Sequence, residues 1–185
     1  MGPGRPLSRR ALMRLGLAAL TAGAAWPGRV ARAAVDRAAP RSLAFRNLHT
    51  GDEVSVVYRV AGRLVPEALR EIDWVLRDHR TGEARPMDPR LLDLLAELRD
   101  ALDTDAPFEI ISGYRSPATN AMLARTTTGV SRGSLHVSGR ATDVRVPGLA
   151  LATLRDRALG LKRGGVGFYP DSDFVHVDVG RVRFW

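Results

Sequence analysis

Alternating apolar and polar positions predict strands at five places along the chain. Residues 42–60 alternate on both sides of a turn at Thr50-Gly51-Asp52, which predicts a β-hairpin. Later segments rich in β-branched and aromatic residues predict further strands within 108–116, 141–146, 164–169 and 174–180. A turn at Pro170-Asp171 joins the last two of these strands.

Apolar residues that recur every three or four positions predict helices. The clearest helix is Pro89–Leu102, and others are predicted over Pro66–Arg80 and over 149–161. A shorter helix over 117–125 is favoured because Ser116 can cap it and Pro117 suits its first turn. Helices that precede and interrupt a small, mostly antiparallel sheet predict the α+β class.

The first 33 residues have the features of an export signal. A basic region ending in Arg9 and Arg10 precedes an apolar run from Leu15 to Trp26, and a small-x-small cleavage pattern ends at Ala33. The apolar run is short for a bilayer span. The arginine pair resembles a twin-arginine signal, so we expect export by the Tat machinery. A Sec signal and an uncleaved anchor are the alternatives.

Cleavage after Ala33 would leave a linker, residues 34–42, and one domain, residues 43–185. No later segment is long and apolar enough to predict a membrane span. We therefore expect a periplasmic protein with no stable membrane span after cleavage. The sequence does not predict its oligomeric state.

The positive charge of the chain belongs mostly to its leader. The formal net charge is +8, but residues 1–33 contain six arginines and no acid, which leaves 22 basic and 20 acidic residues. A nucleic-acid partner therefore loses its main support, and none is expected. The chain has no cysteine, which excludes disulfides, thiolate metal sites and cysteine nucleophiles.

Three residues are candidate metal ligands: His136, Asp143 and His176. Two imidazoles and a carboxylate, with a fourth position for water, are typical of catalytic zinc. The residues lie on or beside predicted strands, which are spaced closely enough for side chains on one face to converge. Spacing alone leaves open that they are ordinary hydrogen-bonded residues, and His49 and His79 are interpreted in that way.

A serine hydrolase is the other chemical option that the residues offer. Ser134, His176 and Asp178 can be chosen as a triad, but such a set occurs in almost any chain. The G-x-S-x-G turn that presents a nucleophilic serine is missing.

The segment "SLHVSGRATDVRV", residues 134–146, resembles the S-x-H-x-x-G-x-A-x-D motif of zinc peptidases related to D-Ala-D-Ala carboxypeptidases and the hedgehog domain. "FVHVDVG" resembles their strand with the second histidine ligand, and "SGYRSPATNAML" resembles their upstream arginine segment. With "GGVGFYP" and "RVRFW", the order of these blocks resembles the YcbK-type, or MepK-type, murein endopeptidases. The resemblance covers residues 43–185.

This resemblance implies a hedgehog/DD-peptidase-like fold and a Zn²⁺ ion held by His136, Asp143 and His176. It implies an exported enzyme whose zinc-activated water cleaves peptide cross-links between peptidoglycan stem peptides. It also implies that Arg115 faces the cleft, where a guanidinium would bind a substrate carboxylate or stabilise the oxyanion.

The carboxylate that transfers the proton is left open by the sequence. Many relatives have a glutamate three residues before the second histidine, where this chain has Asp173. Asp178 is the other candidate and is slightly favoured, either as the base or as a support for His176. Two other functions also stay open: a D,D- or L,D-carboxypeptidase that trims stem peptides, and a non-catalytic, zinc-stabilised module that binds the cell wall.

Overall fold

The computed structural model describes residues 39–127, 131 and 133–185. The predicted export signal and the first residues of the predicted linker lie outside this part of the chain. None of the helices within it is both long enough and apolar enough to cross a membrane.

Eight strands among the described residues form a single sheet. In chain order they are β1 (Arg41–Asn47), β2 (Glu53–Val60), β3 (Arg63–Leu64), β4 (Phe108–Ser112), β5 (Ala141–Arg145), β6 (Gly165–Tyr169), β7 (Phe174–Asp178) and β8 (Arg183–Phe184). Their order across the sheet is β3-β2-β1-β4-β5-β7-β6-β8. The β1–β4 and β6–β8 pairs are parallel, and the other neighbours are antiparallel.

The described helices are α1 (Pro66–Val75), α2 (Pro89–Leu102), α3 (Pro117–Thr126) and α4 (Leu151–Leu161). Proline occupies the first turn of α1, α2 and α3, where no N–H is needed. The side chains of Asp88 and Ser116 accept hydrogen bonds from the first turns of α2 and α3, so the predicted Ser116 cap is confirmed. These helices and the mostly antiparallel sheet confirm the predicted α+β class.

The hydrophobic core lies on the sheet face that α1, α2 and α4 cover. Burial of each leucine side chain in this core stabilises the fold by about 1.5–3 kcal/mol. In β7, Val175 and Val177 belong to the core, so the side chain of His176 between them points to the opposite face. Fully buried residues of α2 include Leu91, Leu92, Leu95 and Leu98.

Helix α1 is shorter than its predicted range, Pro66–Arg80. It ends at Val75, and the groups that would continue it have other partners. The carbonyl of Leu76 accepts a 2.7 Å hydrogen bond from the N–H of Tyr114, beyond the end of β4, and the N–H of Arg80 donates to the carboxylate of Asp78. The sequence also did not predict β3 and β8, which have two residues each, and β1 begins within the predicted linker.

Asp78 anchors the start of α3 after this early helix end. Its carboxylate accepts hydrogen bonds of 2.9 Å from the backbone N–H groups of Ser116 and Arg80, and Asp78 is only 2% exposed to solvent. Burial alone would raise the pKa of Asp78, but hydrogen bonds from Thr119, Ser116 and Arg80 lower it from 3.8 to about 2. The ionised carboxylate therefore stabilises the folded state.

We expect Asp78→Asn to lower the free energy of unfolding at pH 7 by about 1–2 kcal/mol, because charge-assisted hydrogen bonds are lost. The stabilisation is complete above the unfolded-state pKa of 3.8 and is lost as the pH falls through about 2. Urea unfolding at pH 7 and pH 3 should show the difference from wild type shrinking at the lower pH. The exposed Asp171→Asn variant is the control, and an undiminished difference at pH 3 would contradict the assignment.

Candidate metal centre

A row of paired residues crosses four strands on the sheet face opposite the core. Asp143 of β5 pairs with Ser112 of β4 on one side and with His176 of β7 on the other. His176 pairs in turn with Gly167 of β6. Residues directly opposite each other in antiparallel strands share a face, so this row places Asp143 and His176 side by side.

Three ligand atoms converge at the middle of this row. The Nδ1 of His176 lies 2.8 Å from Asp143 Oδ1 and 3.2 Å from the Nε2 of His136. The same His136 nitrogen lies 3.3 Å from Asp143 Oδ1. The structure therefore brings together all three residues that the sequence predicted as ligands.

His136 reaches the row from a 3-10 turn, Leu135–Ser138, and not from a strand. The turn ends at Gly139, whose φ of 67° suits glycine, and a Cβ there would lie 2.6 Å from the carbonyl oxygen of Pro86. The other ring nitrogen, Nδ1, lies 2.7 Å from the carbonyl oxygen of Gly113, which fixes the imidazole so that Nε2 faces the other ligands.

His176 is held in the same way by Asp178. Its Nε2 lies 3.1 Å from Asp178 Oδ2, on the ring edge away from His136 and Asp143. Asp178 is fully buried, and its Oδ2 also accepts a 2.7 Å hydrogen bond from Arg183. The carboxylate thus lies behind a candidate ligand, a position from which acids orient metal-binding histidines.

Charges around the ligands favour anionic carboxylates. Burial opposes ionisation of Asp143 and Asp178, but hydrogen bonds and neighbouring cations keep the pKa of each below its usual value. Burial disfavours the imidazolium of His176, but hydrogen bonds to Asp143 and Asp178 outweigh burial and raise its pKa to about 9. The site is therefore built for a cation beside His176, either a proton or a metal ion.

The donor set fits zinc. Two imidazole nitrogens and one carboxylate oxygen, all within 4.8 Å of one another, are the ligand types and number of a catalytic zinc site. The nitrogens that face away from the centre already have partners, the carbonyl of Gly113 and the carboxylate of Asp178. Ligand histidines in zinc enzymes are oriented by such outer hydrogen bonds.

The ligands lie in a cleft of about 480 Å³. Arg115 lines it and places Nη2 3.6 Å from Asp143 Oδ2 and 3.3 Å from the Oγ of Ser112. The Nε of Arg115 is buried and has no hydrogen-bond partner among the described residues. The other lining residues include Ser134, Tyr169, Phe174, Arg183 and Trp185.

Asp173 does not line this cleft. It follows a 3-10 turn in a left-handed conformation with φ of 53°, and its carboxylate lies 2.5 Å from Nη1 of Arg145. Its side chain is 61% exposed. A surface ion pair with Arg145 therefore holds the carboxylate of Asp173 outside the cleft.

Two residues at the far side of the cleft were not predicted from the sequence. Arg183 pairs with the buried Asp178, and Trp185 lies beside His176 with ring centroids 5.3 Å apart. One signal was available: Gly165 and Gly167 alternate on one face of β6, and glycines so placed in a strand indicate close approach by another group.

His49 and His79 stack on each other with centroids 3.8 Å apart, and neither lines the cleft.

We expect Asp178→Asn to weaken zinc binding by roughly 10–100-fold, because His176 loses the carboxylate that orients it. Zinc titration of the metal-free protein, monitored by calorimetry, measures the effect. Asp173→Asn is the matched control, since it removes a carboxylate three residues from the same histidine and should leave zinc affinity unchanged. Equal affinities for wild type and Asp178→Asn would refute the orienting role.

Sequence similarity to known proteins identifies the family of this chain. The sequence profile of the family described as peptidoglycan L,D-endopeptidase MepK matches residues 35–185. The peptidoglycan L,D-endopeptidase MepK of Escherichia coli strain K12 is 39% identical over 178 residues, which cover 96% of this chain and 97% of that protein. The "Probable peptidoglycan L,D-endopeptidase MepK" of Haemophilus influenzae is 42% identical over 147 residues, 79% of each chain. With these matches and the three predicted ligands in one cleft, the chain belongs to the MepK family.

Proposed function

We propose that this protein is a zinc-dependent endopeptidase that cleaves peptide cross-links of peptidoglycan. The observation that carries the proposal is the convergence of His136, Asp143 and His176 in a cleft, in a chain of the MepK family. Both relatives are named as L,D-endopeptidases, so we extend the proposal to L,D cross-links.

His136, Asp143 and His176 would hold the zinc ion through the atoms that already face one another. Zinc bound there supplies an activated water and polarises the scissile carbonyl. Asp178 keeps the ring of His176 in place through Nε2, so that Nδ1 stays directed at the centre. The contribution of these residues is a ligand geometry that exists before the substrate arrives.

Arg115 is the residue that we assign to the substrate. Its guanidinium lines the cleft beside the ligand Asp143, and one of its nitrogens lacks a partner among the described residues. A buried cation in this position binds a peptide carboxylate or stabilises negative charge on the carbonyl oxygen during attack. The anchor at Asp78 fixes the loop that carries Arg115.

The sequence left the proton-transfer residue open between Asp173 and Asp178, and we assign that role to neither. Asp178 has its carboxylate behind His176, so we assign it to positioning that histidine and not to accepting a proton from water. Asp173 would have to leave Arg145 to reach the cleft, and we give it no role in proton transfer. Separate replacement of each acid by alanine tests this assignment. A loss of activity in Asp173→Ala at full zinc occupancy would show that Asp173 takes part in catalysis.

Purified sacculi offer the direct test. We expect the zinc-loaded protein to convert cross-linked muropeptide dimers into monomers, and we expect a chelator to abolish this activity and added zinc to restore it. Chromatography of the released muropeptides is the measurement. Release of terminal D-amino acids with dimers intact would instead establish a carboxypeptidase, and binding to sacculi without any turnover would establish a non-catalytic module.

In the same assay, Arg115→Lys should lower kcat/KM on the order of 100-fold, because lysine keeps the charge but loses the planar donor pair. Zinc affinity should not change, since Arg115 supplies no ligand atom. The matched control is Arg90→Lys, an exposed arginine paired with Asp88 outside the cleft. Activity in Arg115→Lys equal to that of the control would rule out a role in substrate binding.

We also propose export to the periplasm by the Tat machinery, since peptidoglycan lies outside the cytoplasmic membrane. The support is the arginine pair Arg9-Arg10 before an apolar run and the pattern ending at Ala33. Replacing both arginines by lysine should leave the precursor in the cytoplasm. Cell fractionation and the mass of the mature protein measure this, and continued export of the double variant would favour the Sec route.

A further inference from the structure

The row of paired residues at the metal centre has different side chains at its two ends. Arg115 lies over Ser112 at one end, and the indole of Trp185 lies over Gly167 at the other. Neighbouring strands are about 4.8 Å apart, so the four strands of the row span about 14 Å. The ligands Asp143 and His176 occupy the two middle positions. The cleft therefore extends from the metal site in both directions, across the strands.

The indole of Trp185 is held from three sides. The backbone N–H of Trp185 donates to the carbonyl of Val166, and its own carbonyl accepts from the N–H of Phe168, at 3.2 and 3.0 Å. Its Nε1 donates a 2.6 Å hydrogen bond to the hydroxyl of Tyr169. A Cβ at Gly167 would lie 2.7 Å from the indole, so the ring can lie on β6 only because that residue is glycine. These contacts fix the ring plane.

The same indole remains open to the cleft. Trp185 is 48% exposed and lines the cleft together with Tyr169 and Phe174, whose rings stack with centroids 4.6 Å apart. The guanidinium of Arg183 lies 4.9 Å from the indole ring, but its Nη atoms are bound to Asp178. This end of the cleft therefore presents a flat aromatic wall, while the opposite end presents the Arg115 cation.

We propose that Trp185 determines specificity in the half of the cleft beyond His176, where its indole face binds the aliphatic side chain of a stem-peptide residue. This inference rests on the proposed function and adds the orientation in which the substrate binds. The substrate lies across the strands, with a carboxylate toward Arg115 and an apolar chain against Trp185. A fixed aromatic face favours an aliphatic chain because contact removes apolar surface of both from water.

Three variants test the proposal. Trp185→Ala removes the wall, Trp185→Phe keeps a smaller ring, and Phe184→Ala is the matched control. Phe184 is the preceding residue, at the end of β8, is 80% exposed and does not line the cleft. If the alanine variant at 185 has a lowered Tm, Trp185→Leu replaces it, because leucine keeps an apolar group but no flat ring.

We expect Trp185→Ala to raise KM for a purified cross-linked muropeptide dimer about tenfold, with kcat nearly unchanged. The indole would contact the substrate equally in the ground state and in the transition state, so its loss weakens binding without slowing the chemical step. Calorimetric affinity for an uncross-linked muropeptide should fall by a similar factor, and Trp185→Phe should recover part of both losses. Zinc affinity should match wild type in every variant. A merely structural role would instead lower zinc affinity or kcat.

The two measurements separate this inference from the proposed function. A wild type that binds the muropeptide through Trp185 but leaves the dimer intact would overturn the proposed function and keep the inference. A wild type that cleaves the dimer, with Trp185→Ala and Phe184→Ala equal to it in KM and affinity, would overturn the inference alone. A wild type that neither binds nor cleaves would overturn both.

Discussion

The part of the sheet formed by β6, β7 and β8 depends on the hydrogen bonds that the buried carboxylate of Asp178 accepts. This carboxylate accepts hydrogen bonds from the backbone N–H groups of Gly165 and Gly180, from Arg183 and from the ring of His176. These partners join β6, the end of β7, β8 and a candidate ligand through one group. A buried carboxylate is stable in its charged form only when all of its hydrogen-bond donors are in place. Loss of the carboxylate would therefore loosen the candidate metal site and the aromatic wall together.

A similar pairing of acid and guanidinium recurs on the other side of the site. Asp143 has Arg115 at 3.6 Å, and Asp178 has Arg183 at 2.7 Å. Each buried acid touches a histidine of the centre, and each arginine lines the cleft. The two arginines thus compensate buried negative charge and also form part of the cleft surface that we propose as the substrate site.

The candidate ligands could be predicted from the sequence because their segments resemble the motifs of known zinc peptidases, whereas spacing alone left open that they are ordinary hydrogen-bonded residues. The end of α1 could not, because Leu76 and Tyr114 meet only in the folded chain. The position of Asp173 depends on a left-handed turn and on Arg145, which is distant in sequence. Arg183 and Trp185 belong to the segment "RVRFW", whose resemblance to the family gave neither residue a role, and the alternating glycines of β6 were the signal that something packs there.

The row of paired residues also separates what can change in this fold from what cannot. A slip of one residue between β5 and β7 would turn His176 into the core and carry a valine to the cleft, so the spacing of the ligands is fixed by the hydrophobic pattern itself. The ends of the row carry no such constraint, because a loop supplies Arg115 and a two-residue edge strand leads to Trp185. Residues at either end can therefore diverge among descendants of this chain, while the candidate ligand set between them is inherited intact.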